Sequence, residues 1–162
     1  MNWLSKNLDN RRMFVKTLEE LDDPKNVIVT CDVGMNYLDN TKVKVFNFGV
    51  TEASSTLIAS GLALSGYTVW FYSMINFVLF RPYEMVRNGI VKHNANVKLL
   101  GVKGSAAYRF LGFSHNLLNE EEDINACKNM GLSAVYIPKS VEEVRKVILE
   151  EHERTGPAYI RL

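Results

Sequence analysis

The chain has 162 residues, of which 47% are hydrophobic, so it can form one compact domain with a substantial core. Nineteen basic and eighteen acidic residues give a formal net charge of +1, which provides no overall field for holding nucleic acid or an anionic membrane surface. The longest apolar run, from Tyr67 to Phe80, is too short to span a bilayer, and the first residues lack the apolar stretch of a signal peptide. Cys31 and Cys127 match no metal-binding or redox spacing, which fits free thiols in a reducing compartment. We therefore expect a cytoplasmic protein without nucleic-acid or membrane partners.

The first 25 residues show the pattern of one or two amphipathic helices. Apolar residues recur at helical spacing among charged ones as far as Leu21. The sequence DDP at positions 22–24 then ends the pattern. We assign residues 1–25 to an N-terminal helical segment.

From residue 26 onward, apolar runs typical of strands alternate with helical patterns. In chain order the segments are NVIVTCDVG, VKVFNFG, the segment that begins at Glu52, YTVWFYSM, RPYEMVRNGIVKHN, VKLLGV, EEDINACKNM, SAVYIP, SVEEVRKVILEEHERTG and PAYIRL. The last helix carries a capping box, Ser140 with Glu143 three residues later. This alternation predicts one α/β domain over residues 26–162, with a mostly parallel sheet flanked by helices.

Three residues fall at or shortly after the ends of predicted strands, namely Glu52, Gly104 and His115. In open parallel sheets, ligands bind at the carboxyl ends of the strands, where loops lead into helices. We therefore expect these residues to lie at the same edge of the sheet.

Glu52 opens a segment whose next residues are almost all small or apolar, and two explanations fit it. In the first, Thr51 caps a helix and Glu52 lies in its first turn, where the helix dipole favours a negative charge by about 0.3–1 kcal/mol. In the second, the surrounding apolar residues, such as Phe48 and Leu57, remove the carboxyl group from water. Desolvation favours the protonated form of a carboxyl group, which suits a proton donor.

The stretch FNFGVTEASSTLIASGLALSGYTVWFYSMINFVLFRPYEMVRN resembles the pyrimidine-binding domain of transketolases and of the related deoxyxylulose-phosphate synthases. In that family a glycine, two residues and a glutamate precede a small-residue helix, a strand and an aromatic-rich loop. The resemblance continues through VKLLGVKGSAAYRFLGFSHN, where the family has a glycine loop leading to Gly-x-Ser/Thr-His, and through EEDI, NMGLSAVYIPKSVEEV and GPAYIRL. It covers roughly Val27 to Leu162 and implies a fold of the thiamine diphosphate pyrimidine-binding type.

The resemblance implies a catalytic role for Glu52. In the family this glutamate hydrogen-bonds the N1′ atom of the cofactor's aminopyrimidine and stabilises the imino tautomer, whose nitrogen removes the proton from C2 of the thiazolium. Glu52 would then be the cofactor-activating acid. The helix-capping role remains the alternative.

The resemblance also implies which residues surround the aminopyrimidine. Phe77 and Phe80 fall where the family packs aromatic side chains, and Met74 stands where transketolases usually have another aromatic. Ordinary core packing is the alternative for Phe80. Asp32 matches an acidic residue near the cofactor, although a turn residue at the end of a strand would look the same.

Substrate-binding residues follow from the same resemblance. His115 matches a histidine that reaches the substrate's oxygens and assists proton transfers, and a purely structural histidine is its alternative. Arg161 matches an arginine that binds the phosphate of a sugar phosphate, and Lys103 stands where a histidine near that phosphate is common. Leu111 replaces the acidic residue that contacts a substrate hydroxyl in the family. That replacement argues against the standard sugar-phosphate substrates.

Half of a thiamine diphosphate site is missing from the sequence. In the family a separate domain with an Asp-rich Gly-Asp-Gly signature holds the diphosphate and Mg²⁺, and this chain has no such signature. We therefore expect a subunit that is active only with a diphosphate-binding partner, as in split transketolases, with two copies of each subunit. The apolar segment WFYSMINFVLF is the candidate interface.

The reaction implied by the resemblance is transfer of a two-carbon ketol unit from a ketose, or ketose phosphate, to an aldehyde. Two alternatives remain open at the level of the sequence. One is a subunit of a thiamine-dependent 2-oxo acid decarboxylase or synthase. The other is a non-catalytic α/β interaction domain.

Overall fold

The six strands in the described part of the chain lie parallel in one sheet. A computed structural model describes residues 3–104 and 106–162. The strands are β1 (Asn26–Thr30), β2 (Lys44–Asn47), β3 (Thr68–Met74), β4 (Val97–Val102), β5 (Val135–Tyr136) and β6 (Ala158–Arg161). Their order in the sheet is β2-β1-β3-β4-β6-β5, and every neighbouring pair is parallel. The predicted α/β fold with a parallel sheet and flanking helices is thereby confirmed.

Helices connect the strands on both faces of the sheet. They are α1 (Trp3–Leu21), α2 (Met35–Leu38), α3 (Glu52–Leu64), α4 (Tyr83–Met85), α5 (Glu122–Met130) and α6 (Val141–Glu153). Two π-helical turns, Asn76–Phe80 and Val86–Val91, flank α4, and a 3₁₀ segment covers Ala106–Ser114. The predicted cap of α6 forms at Ser140, whose hydroxyl accepts a hydrogen bond from the backbone N–H of Glu143 at 3.2 Å. The reciprocal bond of a capping box is shifted by one residue, because the carboxylate of Glu143 accepts from the backbone N–H of Lys139 at 2.6 Å.

None of the helices in the described part of the chain has the length and apolar character that crossing a membrane requires.

Successive strand residues point to opposite faces of the sheet and build two hydrophobic cores. On one face Val29 and Phe71 pack beneath α3, the π-helical turns and α5. On the other face Ile28, Trp70 and Leu100 pack beneath α1 and α6. Because both faces are covered, the strands are almost continuously apolar, as is typical of parallel sheets.

The N-terminal segment is part of this second core. Residues 1 and 2 lie outside the described residues, and from Trp3 the segment forms one helix. Phe14 of α1 is fully buried, and its ring stacks on Tyr72 of β3 at 6.0 Å between centroids. It also meets the ring of Trp70 at 5.9 Å. The helix therefore covers the sheet directly.

A buried ion pair joins β4 to the end of α6. The ammonium group of Lys98, which is fully buried, lies 2.9 Å from the carboxylate of Glu151. The same group donates hydrogen bonds to the carbonyl oxygens of Arg154 at 2.8 Å and Gly156 at 2.7 Å. Arg154 also binds Glu151, through Nε at 2.7 Å and Nη2 at 2.8 Å. This cluster ties the chain that leads into β6 to the amino end of β4.

The order of the strands creates a crevice between β1 and β3. From β1 the chain passes to β2 on one side, and from β3 onward it continues on the other side. Such a switch point leaves space beyond the carboxyl ends of the two strands, where ligands bind in open α/β sheets. The residues that follow β1 and β3, together with the start of α3, border this space.

Candidate functional site

A cavity of about 540 Å³ opens at this switch point. Its volume lies within the range of small-molecule binding sites. Five of the residues singled out from the sequence line it: Asp32, Glu52, Met74, Phe77 and His115. These residues come from four different segments of the chain, so only the fold brings them together.

Glu52 is the first residue of α3 and is nearly buried, with 6% of its surface exposed. Thr51 occupies the N-cap position, but its hydroxyl does not cap the helix. It donates a hydrogen bond to the carbonyl oxygen of Phe48 at 2.9 Å instead. The carboxylate of Glu52 therefore stands at the open start of a helix and faces the cavity.

Arg81 binds the carboxylate of Glu52 and was not identified from the sequence. Its Nη1 atom lies 2.8 Å from Oε1 of Glu52. Its guanidinium carbon lies 3.8 Å from the centre of the Phe77 ring, a cation–π contact. The signal in the sequence was the position of Arg81, four residues after Phe77 in a helical turn, where the two side chains share one face.

His115 borders the cavity between two aromatic rings. Phe77 meets its ring edge-on at 4.8 Å, and Tyr108 stacks in parallel at 6.5 Å. The hydroxyl of Ser114 lies 2.7 Å from Nδ1 of His115 and donates a hydrogen bond to the carbonyl oxygen of Leu111 at 2.9 Å. A hydroxyl has one proton, so when Ser114 donates it to the carbonyl oxygen of Leu111, Nδ1 of His115 is the donor to Ser114. In that tautomer the lone pair of the ring is on Nε2.

Close packing at Gly104 fixes the position of the His115 backbone. A Cβ atom at residue 104 would lie 2.2 Å from the carbonyl oxygen of His115, so no side chain can be accommodated there. The amide of Asn76 donates to the carbonyl oxygen of Phe113 at 2.9 Å, and the amide of Asn116 donates to that of Gly112 at 2.8 Å. The Asn76 contact attaches the segment that carries His115 to the turn after β3, and the Asn116 contact lies within that segment.

Asp32 lies at the rim, directly after the buried Cys31 that ends the β1 segment. Its backbone is in the left-handed region, with φ of 55°, and its side chain pairs with Asn47. Asn47 donates to Oδ1 of Asp32 at 2.8 Å, and its own Oδ1 accepts from the backbone N–H of Asp32 at 3.0 Å. Burial raises the pKa of the Cys31 thiol, with a smaller contribution from the nearby Glu52 charge, so the thiol stays protonated.

Two further residues that line the cavity, Tyr72 and Arg11, carry polar atoms without partners among the described residues. The hydroxyl of Tyr72 and the Nε–H of Arg11 are buried and make no hydrogen bond to the described residues. Burial raises the pKa of Tyr72, so its hydroxyl is available as a donor. The guanidinium carbon of Arg11 lies 5.8 Å from the centre of the Tyr37 ring. Unsatisfied buried donors of this kind suit the oxygens of a bound ligand.

The transketolase pyrimidine-binding domain family matches residues 13–162. This chain belongs to that family. The resemblance stated from the sequence is thereby confirmed.

Two relatives and one solved structure illustrate the similarity of this pyrimidine-binding domain to known proteins. An apulose-4-phosphate transketolase subunit of Actinobacillus succinogenes is 32% identical over 119 residues, covering 74% of this chain and 37% of that protein. The corresponding apulose-4-phosphate transketolase subunit of Phocaeicola vulgatus is 28% identical over 159 residues, covering 94% of this chain and 50% of that protein. A split-gene transketolase, solved as an inactive beta4 tetramer, matches with a TM-score of 0.79 at 25% identity, over 94% of this chain and 50% of that one. The chain thus spans half or less of the length of these proteins.

The remaining residues predicted for the site lie outside the cavity of this pyrimidine-binding domain. Phe80 is half-buried and packs against the core on the α3 face of the sheet. Leu111 lies in the 3₁₀ segment, with 36% of its surface exposed. Neither residue lines the cavity, although Phe77, three residues before Phe80, does.

Arg161 and Lys103 are engaged with acidic side chains beside the cavity. Arg161 binds both carboxylate oxygens of Asp123, which is fully buried. Its Nε atom lies 2.9 Å from Oδ2, and its Nη2 atom binds Oδ1. The hydroxyl of Tyr159 binds the same carboxylate oxygen at 2.5 Å. Lys103 pairs with Glu120, whose side chain is 69% exposed. The Arg161 pair is thus built into the domain, whereas the Lys103 pair lies at its surface.

Among the residues that the structure describes, no group of three or more His, Cys, Asp or Glu side chains could hold a metal ion.

Proposed function

We propose that this chain is the pyrimidine-binding part of a thiamine diphosphate-dependent transketolase, which moves a two-carbon ketol unit from a ketose to an aldehyde. The observation that carries the proposal is the nearly buried carboxylate of Glu52, which faces a cavity at the switch point of a transketolase-type fold. Thiamine diphosphate, when bound, supplies the electron sink that cleavage of a carbon–carbon bond next to a carbonyl requires.

The residues around Glu52 fit an aminopyrimidine. Phe77 and Met74 are each 7% exposed and form an apolar wall beside the carboxylate. Aromatic faces and thioether sulfur atoms both pack well against a flat heteroaromatic ring. Glu52 would hold a proton at a ring nitrogen, which the apolar wall shields from water. Phe80 would support Phe77 from the core.

Other residues of the cavity suit a polyhydroxylated substrate. His115, with its ring lone pair on Nε2, would move a proton at a substrate oxygen. Arg11 and Tyr72 would donate hydrogen bonds to other substrate oxygens, since their buried donors have no partner among the described residues. Asp32, at the rim, would accept a hydrogen bond from the cofactor or from a substrate hydroxyl.

A partner subunit would hold the diphosphate and Mg²⁺, and exposed apolar residues suit its binding. Leu57 and Leu64 on α3 are 50% and 62% exposed, and Phe110 and Phe113 are 82% and 75% exposed. Apolar exposure of this extent favours an interface over free solvent. We infer that the partner is a diphosphate-binding transketolase subunit, with two copies of each chain. Relatives described as transketolase subunits, and a relative structure described as a split-gene transketolase, support this division.

Much of the apolar segment WFYSMINFVLF, which the sequence suggested for the interface, is buried within this domain. Trp70 and Phe71, in the apolar segment WFYSMINFVLF, are fully buried in the two cores. A partner cannot reach them. The strand part of the segment is apolar because a strand buried on both faces is as apolar as an interface, whereas Met74 and Phe77 of the same segment line the cavity.

The substrate is proposed as a ketose, with or without phosphate. Lys103 is 34% exposed and can leave Glu120 to bind a phosphate group. Arg161 would add to such a site only with its outer Nη1 atom, which lies 3.6 Å from Glu120, because Asp123 holds the rest of the guanidinium. Two relatives carry the description apulose-4-phosphate transketolase. A donor panel should therefore include ketose phosphates, free ketoses and 2-oxo acids.

The test is co-purification of this chain with its partner subunit, followed by assay with and without thiamine diphosphate and Mg²⁺. In the reconstituted pair we expect E52Q to lower turnover by about 100-fold or more, the range for a lost general acid. E84Q is the matched control, because Glu84 is exposed in the short helix α4 and does not line the cavity. Unchanged turnover of E52Q, or activity that ignores the cofactor, would overturn the proposal.

A further inference from the structure

Tyr72 of β3 has a buried hydroxyl group without a partner. The residue is 1% exposed, and its hydroxyl makes no hydrogen bond to the described residues. Such a group costs free energy, because it has lost its hydrogen bonds to water and gained none in the protein. Tyr159 of β6 is also fully buried, but its hydroxyl donates to Asp123 at 2.5 Å. The missing partner is therefore a property of Tyr72 and not of every buried tyrosine in this sheet.

The ring of Tyr72 is held in one position by close packing. Phe14 of α1 stacks on it at 6.0 Å between the ring centroids. Gly34 also lies against it, because a Cβ atom at residue 34 would come within 2.2 Å of Cε1 of Tyr72. A ring packed this closely cannot turn toward another partner. The position of the hydroxyl is fixed before any ligand binds.

The hydroxyl of Tyr72 lies among other residues of the cavity. Burial raises its pKa, and the charge of Arg11 and the hydroxyls of Tyr37 and Tyr108 have smaller effects on it. These three residues line the cavity together with Tyr72. The raised pKa keeps the proton on the oxygen, so Tyr72 is a neutral donor. The Nε–H of Arg11 is a second buried donor without a partner among the described residues, so a ligand has to supply acceptor oxygens here.

The cavity extends across the edge of the sheet. Glu52 begins α3, which covers one face, whereas Tyr72 belongs to the core beneath α1 and α6 on the other face. Both residues line the cavity. A substrate whose reacting end lies on the Glu52 side therefore directs its far end toward Tyr72.

We propose that Tyr72 determines substrate specificity, an inference that rests on the proposed function and makes it more specific. Its hydroxyl donates a hydrogen bond to an oxygen at the end of the sugar chain remote from the reacting carbonyl. A sugar that has only hydrogen at that position leaves the donor buried without a partner, and it is rejected for that reason. A free hydroxyl and a phosphate ester both supply such an oxygen, and the experiment below separates them.

The first test is thermal unfolding of the 162-residue chain without ligand, followed by circular dichroism. Y72F keeps the ring and removes an unpaired polar group, so we expect the melting temperature to rise by about 2–4 °C. Y159F is the matched control, because it removes a hydroxyl that donates to Asp123. Its melting temperature should fall by at least about 2 °C. A hydroxyl with a purely structural role would give a fall in both variants.

The second test compares kcat/KM of the reconstituted pair for fructose, fructose 6-phosphate and 6-deoxyfructose, with one aldehyde acceptor throughout. The wild type should prefer an oxygenated sugar over 6-deoxyfructose by at least about tenfold, and Y72F should reduce this ratio to about twofold or less. A preference for fructose over its phosphate that Y72F abolishes identifies the free hydroxyl as the recognised group, and the reverse preference identifies the phosphate ester. Y67F should keep the ratios of the wild type, because Tyr67 precedes β3 and does not line the cavity.

A melting temperature of Y72F at or below that of the wild type would overturn the inference, because the hydroxyl would then have a partner in the chain without ligand. An unchanged sugar ratio in Y72F would overturn it as well, and so would turnover of none of the three sugars by a pair that is active with other donors. The proposed function fails by a different result, namely a reconstituted pair whose turnover is indifferent to E52Q or to the cofactor. A pair that depends on Glu52 but shows the same sugar preference in Y72F would retain the function and remove the role of Tyr72.

Discussion

Substitution of Lys98 by methionine isolates the buried ion pair between β4 and α6. Methionine has a similar length and packs in apolar surroundings, so K98M removes the charge and three hydrogen bonds while leaving most of the volume. Lys98 and Glu151 are both fully buried. The lost bonds join Nζ to Glu151 at 2.9 Å, to the carbonyl oxygen of Arg154 at 2.8 Å and to that of Gly156 at 2.7 Å.

The magnitude follows from what remains after the substitution. Breaking a buried ion pair by removing one partner costs about 3–5 kcal/mol. Here Arg154 still binds Glu151 through two hydrogen bonds and also donates to the carbonyl oxygen of Gly156 at 3.3 Å. The carboxylate therefore keeps a countercharge, and we expect a loss near the lower limit, about 3 kcal/mol in the free energy of unfolding.

Urea unfolding followed by circular dichroism measures this loss. K146M is the control, because Lys146 and Glu150 form a surface pair at 3.7 Å with 74% and 50% exposure, and its effect should stay within about 0.5 kcal/mol. The double variant K98M/E151M should regain part of the stability, since apolar residues replace the pair. A loss below about 1 kcal/mol for K98M would refute the reasoning. Lys98 lies near the amino end of β4, away from the cavity, so ligand binding should be unaffected.

Two further predictions concern titration and protonation. Burial by itself raises the pKa of Glu151, but hydrogen bonds from Arg154, Tyr136 and Lys98 outweigh it and hold the pKa below its ordinary value of 4.5. The stabilisation by the Glu151 carboxylate is therefore complete above pH 4.5. It is lost as the pH falls through the lower pKa of the folded state. The difference in unfolding free energy between wild type and E151Q should therefore narrow in acid. A difference that stays constant with pH would contradict this. At His115, loss of the acceptor in S114A should reduce the Nδ1–H tautomer about fivefold relative to the wild type, as read from ¹H–¹⁵N correlation spectra, whereas S114T should retain it. Identical tautomer ratios in wild type and S114A would show that Ser114 does not set the proton position.

The sequence was sufficient to predict the parallel fold and the edge of the sheet where the cavity lies. Alternating apolar runs and helical patterns are local signals, and a strand covered on both faces must be apolar along its whole length. The motif around Glu52 and the aromatic loop with Phe77 are likewise short enough to be identified in a single stretch. The helix cap at Ser140 is another local feature that the structure confirmed.

The tertiary structure decided which partners these residues have. Asp123 lies 38 residues from Arg161, and only the fold shows that it holds this arginine, which the sequence assigned to a phosphate. Arg81 lies 29 residues from Glu52 and was not identified in the sequence. Pairing between charged groups depends on distances of a few ångströms, and chain spacing does not determine such distances between separate elements. The sequence by itself thus determined the family, the architecture and the acid at the cavity, whereas only the packing of the elements decided which cations are free to meet a ligand.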